Sequence, residues 1–203
     1  NIESIALATA TRRPHVIVDA LDNFEARMVL NDLSIKHGIP LIYGGAVSTF
    51  GSVYVVLPPG AEQPWAGTPS RCLRCLFGQL PAAGLSPSCD TAGVLGPLVA
   101  IIAAMQVIEA MKVLLQDWSA IERRWRMLDC WHHFERAIPV DGDTGVPCPC
   151  CAGRTFDHLE TRAGSQTAWL CGNGAIQVAL PAHDPLPDLA QLAMGLPTSA
   201  RVR

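Results

Sequence analysis

Short apolar runs alternate with a helical pattern in the first sixty residues of the chain. Residues 15–19 and 40–43 are rich in β-branched and other apolar residues, as is typical of buried parallel strands. Between them, the spacing of apolar positions predicts a helix over Phe24–His37, which Gly38 would end. This strand–helix–strand order predicts the βαβ unit of an α/β fold.

The long apolar stretch in the middle of the chain predicts a second helix, from Pro97 to about Leu115. Because this helix is apolar nearly all round, we expect it to be buried. Four further short elements are predicted: strands at 52–57, 124–130 and 175–180, and an amphipathic helix at 187–194. The change in character after the last cysteine-rich loop predicts a main domain over 1–153 and a partial C-terminal extension over 154–203.

The composition narrows the possible classes of function. Of 203 residues, 49% are hydrophobic and only 16% are charged, against about 25% charged in ordinary soluble proteins. Such a chain is not intrinsically disordered, and much of its surface is expected to be covered. A net charge of −3 without a basic cluster argues against nucleic acid as a partner. The longest apolar run, 92–105, is shorter than the ~20 residues of a membrane-spanning helix, so no membrane partner is expected.

Paired cysteines are the most specific chemical feature of the sequence. Cys72 and Cys75 form one C-x-x-C motif, and Cys148 and Cys151 form a second, with Cys150 inside it. Two such pairs supply the four thiolates of a tetrahedral structural Zn²⁺ site. The alternative is two redox pairs or unpaired thiols.

Asp22 and Cys89 are weaker candidates when judged from the residues alone. Asp22 follows the first predicted strand, at the edge of the sheet where α/β proteins bind ligands, and could hold the Mg²⁺ of a nucleotide; it could equally be a helix cap. Cys89 precedes a helix whose N-terminus would favour a thiolate, although an inert small residue is the alternative. Neither a G-x-G-x-x-G nor a G-x-x-x-x-G-K-[ST] phosphate loop occurs. The residues 131–133 (Trp-His-His) are interpreted as structural.

Several of these stretches, in order, resemble one family. Residues 19–27 resemble the D-x-x-D-N-x-x-x-R signature of the ATP-dependent adenylyltransferases of ubiquitin-like sulfur-carrier proteins, of the thiamine-thiazole and molybdopterin-synthase types. The C-x-x-C pair at 72–75, the segment 89–97 (Cys-Asp-Thr-Ala-Gly-Val-Leu-Gly-Pro) and the C-P-C-C at 148–151 follow in the family's order. The resemblance covers roughly residues 1–153. It implies a Rossmann-like sheet, the second half of the activating-enzyme fold, with a four-cysteine zinc site.

The resemblance also implies an activity and roles for particular residues. The family adenylylates the C-terminal Gly-Gly carboxylate of a small sulfur-carrier protein, which later becomes a thiocarboxylate. Asp22 would bind the Mg²⁺ of ATP, Asn23 and Arg27 would support the nucleotide site, and Cys89 would take part in sulfur transfer. For Arg27 the alternative is an exposed helix residue. The cysteines of the two C-x-x-C motifs, called here the first knuckle (72–75) and the second knuckle (148–151), would hold Zn²⁺.

The family also carries features that this sequence lacks. Before the region that matches Asn1, family members have a first Rossmann half with a glycine loop, an arginine and a phosphate-binding lysine. We therefore expect the chain to be part of a longer, cytoplasmic protein that is homodimeric when complete and possibly supplied with sulfur by a desulfurase. Two alternatives remain: an activator of another ubiquitin-like modifier through a thioester, or a non-catalytic zinc scaffold that docks a carrier protein.

Overall fold

The computed structural model describes residues 14–60, 62–65, 70–78, 92–140, 146–160, 166–170 and 175–179. Within these ranges the helices are α1 (Phe24–His37), α2 (Leu73–Phe77), α3 (Gly96–Leu114) and α4 (Asp157–Glu160). The strands are β1 (Ile17–Val18), β2 (Leu41–Val47), β3 (Phe50–Val56), β4 (Trp125–Asp129), β5 (Phe134–Ile138), β6 (Gln166–Leu170) and β7 (Ala175–Ala179). The α/β class is confirmed.

The main sheet has the order β1-β2-β3-β4-β5. β1 and β2 are parallel, with Ile17 opposite Leu41, and α1 crosses over between them, so the predicted βαβ unit is confirmed. β2, β3, β4 and β5 then pair antiparallel in chain order. The predicted strands at 52–57 and 124–130 are confirmed as β3 and β4, whereas β5 was not predicted.

α1 has the predicted bounds, and both of its ends are capped. The Asn23 side chain accepts a hydrogen bond from the Ala26 amide at 2.8 Å, which satisfies an amide that has no partner inside the helix. Gly38 follows in the left-handed conformation (φ 62°) and donates its amide to the Ser34 carbonyl. The N-cap of α1 is therefore Asn23 and not Asp22.

Two apolar layers cover the main sheet. On one face α1 and the cysteine loops pack on Tyr43, Tyr54 and Val56. On the other face α3 packs on Val53 and Val55. The cysteine loops are thus part of the core on the α1 side.

β2 runs further than the sequence suggested, because it continues through Gly44 and Gly45 to Val47. At Gly44 the amide group of Gln106 from α3 lies so close that a Cβ atom would come within 2.3 Å of its Cδ. The same side chain donates hydrogen bonds to the Asp19 carbonyl at 2.7 Å and the Ile42 carbonyl at 3.1 Å. Because Gly44 has no side chain, Gln106 can approach the sheet and hydrogen-bond to the backbone just after β1 and near the start of β2.

The expectation that α3 is buried all round is wrong. Leu98, Ile102 and Val113 pack on the sheet, whereas Val107, Ile108, Met111 and several neighbours on the opposite face are about half exposed. A helix covering one sheet face buries only the stripe that points at that sheet, and no other described element covers the outer stripe. Among the described residues, α3 is the single helix long and apolar enough to cross a membrane, a property that core helices share.

The chain divides into two units, Asn1–Thr161 and Arg162–Arg203. The first unit therefore includes residues beyond 153. In the second unit β6 and β7 form an antiparallel hairpin, which confirms the strand predicted at 175–180 and adds one that was not predicted. The helix predicted at 187–194 lies outside the described residues.

Candidate metal centre and the β1–α1 loop

Four cysteine sulfurs converge between two loops that are distant in sequence. The Sγ atoms of Cys72, Cys75, Cys148 and Cys151 all lie within 4.8 Å of one another. The Cys72 Sγ is 3.7 Å from the sulfurs of Cys75 and Cys148, and the Cys75 Sγ is 3.4 Å from that of Cys151. The structure thus brings together the four residues that the C-x-x-C spacing predicted.

The geometry of the four thiols fits a zinc ion. Zn–S bonds of about 2.3 Å in a tetrahedron place the sulfurs about 3.8 Å apart, close to the separations found here. A closed set of four thiolates is the ligand set of a structural site, because it leaves no open position for substrate. The centre can hold a divalent metal and connect the two loops.

Backbone turns present the sulfurs to one point. In the first knuckle the amides of Cys75 and Leu76 donate to the Cys72 carbonyl, so that the two sulfurs share one side of a helical turn. In the second knuckle the amides of Ala152 and Gly153 donate to the Cys148 carbonyl. A side chain at Gly153 would place its Cβ 2.7 Å from the Pro149 carbonyl oxygen, so this tight turn requires glycine.

Cys150 is not one of the four mutually close sulfurs. It is fully buried, and its sulfur lies 3.3 Å from a carboxylate oxygen of Asp32 on α1. The four sulfurs that cluster are those of Cys72, Cys75, Cys148 and Cys151, so the structure pairs Cys148 with Cys151, as the spacing predicted; ligation of a metal by them stays a prediction.

Hydrogen bonds between cysteine sulfurs raise the pKa of three thiols of the centre, those of Cys72, Cys75 and Cys151. Hydrogen bonding to Cys151 is the largest of the effects that raise the pKa of Cys75 to about 12. Hydrogen bonding to Cys72 does the same for Cys151, whose pKa is also raised to about 12. Hydrogen bonding to Cys150 is the largest of the effects that raise the pKa of Cys72. A bound divalent ion would displace these protons, so its affinity falls as the pH falls.

The second cluster is the loop that joins β1 to α1, at the carboxyl end of β1. Asp22 is exposed there, and its carboxylate accepts a hydrogen bond from the Asn23 side-chain amide at 3.1 Å. Asn23 thus caps α1 with its oxygen and contacts Asp22 with its nitrogen. The carboxylate is presented to solvent at the sheet edge where α/β proteins bind ligands.

Arg27 is buried, so the alternative of an exposed helix arginine is wrong. Its Nε lies 3.2 Å from the carboxylate of Asp19, and its guanidinium donates hydrogen bonds to the carbonyls of Leu21 and Gly44. The guanidinium also stacks 5.0 Å from the ring centroid of Tyr43. Arg27 therefore fixes the backbone of the loop that carries Asp22.

Replacing Arg27 by methionine is expected to destabilise the fold by about 3–5 kcal/mol, because it leaves Asp19 as an unpaired charge in the core. Burial raises the pKa of Asp19, and Arg27 opposes that shift. Without Arg27 the carboxyl pKa rises further, so folding takes up a proton and the deficit grows as the pH increases. Urea unfolding between pH 5 and pH 8 measures this effect. The double variant Arg27→Met with Asp19→Asn should lose the added pH dependence. If the double variant keeps the same pH dependence as Arg27→Met alone, the pH dependence does not come from Asp19.

An aromatic cluster connects the two sites, and sequence analysis did not find it. Phe77, the last residue of α2, packs edge-on against Phe24 at 5.1 Å, Trp125 at 5.4 Å and Tyr43 at 5.8 Å between ring centroids. Phe24 is the first residue of α1, and Tyr43 stacks on Arg27. The first cysteine knuckle and the β1–α1 loop therefore share one packed cluster.

Two other sequence features take their place outside these sites. Cys89 lies outside the described residues. The residues 131–133 form the turn between β4 and β5 rather than part of a strand, and His132 contacts the Asp129 carboxylate at 2.9 Å. They contribute to a turn, in agreement with their structural interpretation.

Comparison with known proteins gives consistent matches. The model of the ThiF family matches residues 2–149. The chain is 35% identical over 167 residues to the sulfur carrier protein ThiS adenylyltransferase of Bacillus subtilis, covering 82% of this chain and 46% of that protein. It is 40% identical to the sulfur carrier protein adenylyltransferase of Thermus thermophilus (68% and 49%) and 35% identical to the SAMP-activating enzyme E1 of Haloferax volcanii (71% and 49%).

The chain spans about half the length of these curated relatives. The match of the family model nevertheless covers well over half of the chain, including the β1–α1 loop and three of the four clustered cysteines. The chain therefore belongs to the ThiF family.

Proposed function

We propose that the whole protein activates a small ubiquitin-like sulfur-carrier protein by adenylylating its C-terminal Gly-Gly carboxylate with ATP. A carboxylate oxygen of the carrier attacks the α-phosphorus of ATP, an acyl-adenylate forms, and pyrophosphate leaves. The observation that carries the proposal is the loop with exposed Asp22 and buried Arg27, next to a four-thiol centre, in a chain of the ThiF family. The relatives from Bacillus subtilis and Thermus thermophilus are sulfur carrier protein adenylyltransferases, which supports carrier activation.

The residues of the loop have separable roles in this proposal. The exposed carboxylate of Asp22 would hold the Mg²⁺ that accompanies ATP, and Asn23 contacts that carboxylate. Magnesium supplies neutralising charge at the phosphates as pyrophosphate departs. Arg27 is buried and binds Asp19 and the carbonyls of Leu21 and Gly44, so it would support the nucleotide site by holding the loop in place. The four clustered cysteines would hold a structural Zn²⁺.

Exchange of radiolabelled pyrophosphate into ATP by the whole protein tests the function. Exchange that requires a carrier ending in Gly-Gly, and that stops when this end is removed, is the expected result. No exchange with any sulfur carrier would contradict the proposal and favour a non-catalytic scaffold. Exchange followed by a stable thioester to the protein would favour an activator of another modifier. Carriers of the thiamine-thiazole and molybdopterin pathways should be compared side by side.

We propose a role for Cys89 in the later transfer of sulfur, on the basis of its place in the family motif. Cys89→Ser should then leave pyrophosphate exchange unchanged and lower the yield of carrier thiocarboxylate. Mass spectrometry of the carrier detects the thiocarboxylate, which is about 16 mass units heavier than the carboxylate because one sulfur atom stands in place of one oxygen atom. An unchanged thiocarboxylate yield would assign Cys89 a structural role.

A further inference from the structure

Two adjacent polar residues lie fully buried in the middle of α1. Asn31 and Asp32 are both 0% exposed, although helices of this kind direct apolar residues inward. Burying an amide and a carboxylate is costly unless hydrogen bonds replace the lost water. Their partners come from both cysteine knuckles.

Asn31 holds the first knuckle. Its Oδ1 accepts a hydrogen bond from the Leu73 amide at 2.8 Å, and Leu73 directly follows Cys72. Leu73 is the first residue of α2, where amides have no partner inside the helix, and Cys72 makes no side-chain cap. Asn31 therefore supplies from α1 the cap that α2 lacks.

Asp32 holds the second knuckle. One carboxylate oxygen lies 3.3 Å from the sulfur of Cys150, which donates to it, and the other accepts the His158 amide at 3.0 Å. The Asn31 amide nitrogen donates to the same sulfur at 3.5 Å. Arg74, between the cysteines of the first knuckle, lies 3.9 Å from the Asp32 carboxylate and adds the compensating charge.

We propose that Asn31 and Asp32 are positioning residues of the metal centre. They fix the two knuckles against one rigid helix, so that the sulfurs lie within bonding range of one ion before the ion binds. Cys150 contributes as the hydrogen-bond donor of the second knuckle rather than as a ligand. Partners that orient metal ligands in this way typically account for about 10–100-fold in metal affinity. The proposal concerns metal binding and is independent of the nucleotide chemistry.

The test is competition for Zn²⁺ between the whole protein and a chromophoric chelator at fixed pH. Asp32→Asn, which keeps the size but removes the charge, should weaken Zn²⁺ binding by about 10–100-fold. Asp117→Asn makes the same chemical change at an exposed position in the turn after α3 and should leave the affinity unchanged. Cys150→Ala removes the donor to Asp32 and should weaken binding in the same direction.

Cobalt substitution separates positioning from ligation. With Co²⁺ in place of Zn²⁺, Asp32→Asn and Cys150→Ala should both retain the visible bands of a tetrahedral four-thiolate site, at higher Co²⁺ concentration. Wild-type affinity in Asp32→Asn would overturn the proposal. If Asp32→Asn does not fold, wild-type affinity in Cys150→Ala would overturn the proposal instead. Loss of the four-thiolate spectrum in Cys150→Ala would also overturn the proposal, because Cys150 would then be a ligand.

Discussion

Replacing Asp22 by alanine is expected to reduce ATP–pyrophosphate exchange by the whole protein about a thousandfold or more, to below detection. The carboxylate is the exposed acidic group of the β1–α1 loop that is proposed to hold the Mg²⁺ of ATP. Metal-based charge stabilisation contributes several kcal/mol to such a transition state, and each 1.36 kcal/mol corresponds to about tenfold in rate. Initial rates of exchange at saturating carrier measure the loss.

The matched control for Asp22→Ala is Asp117→Ala, which removes an exposed carboxylate that also lies in a turn. It should exchange pyrophosphate like the wild type. Because Asp22 is exposed and the cap of α1 is Asn23, the free energy of unfolding of Asp22→Ala should lie within about 0.5 kcal/mol of the wild-type value. Full exchange by Asp22→Ala would exclude the proposed magnesium role and weaken the assignment of the loop.

Removing one thiol of the metal centre is expected to have the largest effect on stability. Cys72→Ser should abolish stoichiometric zinc, which we expect at about one ion per chain, and should lower the thermal midpoint strongly. Cys72 is fully buried and its sulfur lies 3.7 Å from the sulfurs of Cys75 and Cys148. Binding energy of a structural zinc, about 10–16 kcal/mol in small zinc peptides, is folding energy for the loops it joins. Elemental analysis and thermal unfolding measure both effects.

Cys130→Ser is the control for this experiment, since Cys130 is a partly buried cysteine that packs with the α3 side of the core. That variant should keep its zinc. Zinc retained at one ion per chain in Cys72→Ser, or absent from wild-type protein purified without chelator, would contradict a four-cysteine zinc site.

The cluster of four thiols could be predicted from the sequence because much of its geometry is local. A C-x-x-C spacing places two sulfurs on one turn whatever the rest of the chain does, and the 148–151 gap excluded Cys150. The bounds of α1 were also predictable, because its caps lie within a few residues of its ends.

Long-range contacts explain what the sequence did not reveal. The polar residues Asn31 and Asp32 have partners 42 and 126 positions away, at Leu73 and His158, so no local pattern indicated their burial. Arg27 is buried because it contacts the Asp19 carboxylate and the Gly44 carbonyl, and these two groups come together only when the βαβ unit folds. The exposure of α3 depended on which elements cover it, a question that apolar composition alone does not answer.

Gln106 on α3 helps to anchor the β1–α1 loop to the sheet. β1 contributes only two residues to the sheet, so little of its hold comes from ladder bonds. Gln106 adds two hydrogen bonds from α3, and one of them reaches the Asp19 carbonyl at the start of the loop. Since Arg27 binds the same loop from α1, opening of the loop requires release from helices on both faces of the sheet. The start of the loop is therefore anchored from both faces of the sheet, whereas Asp22 two residues further on is exposed.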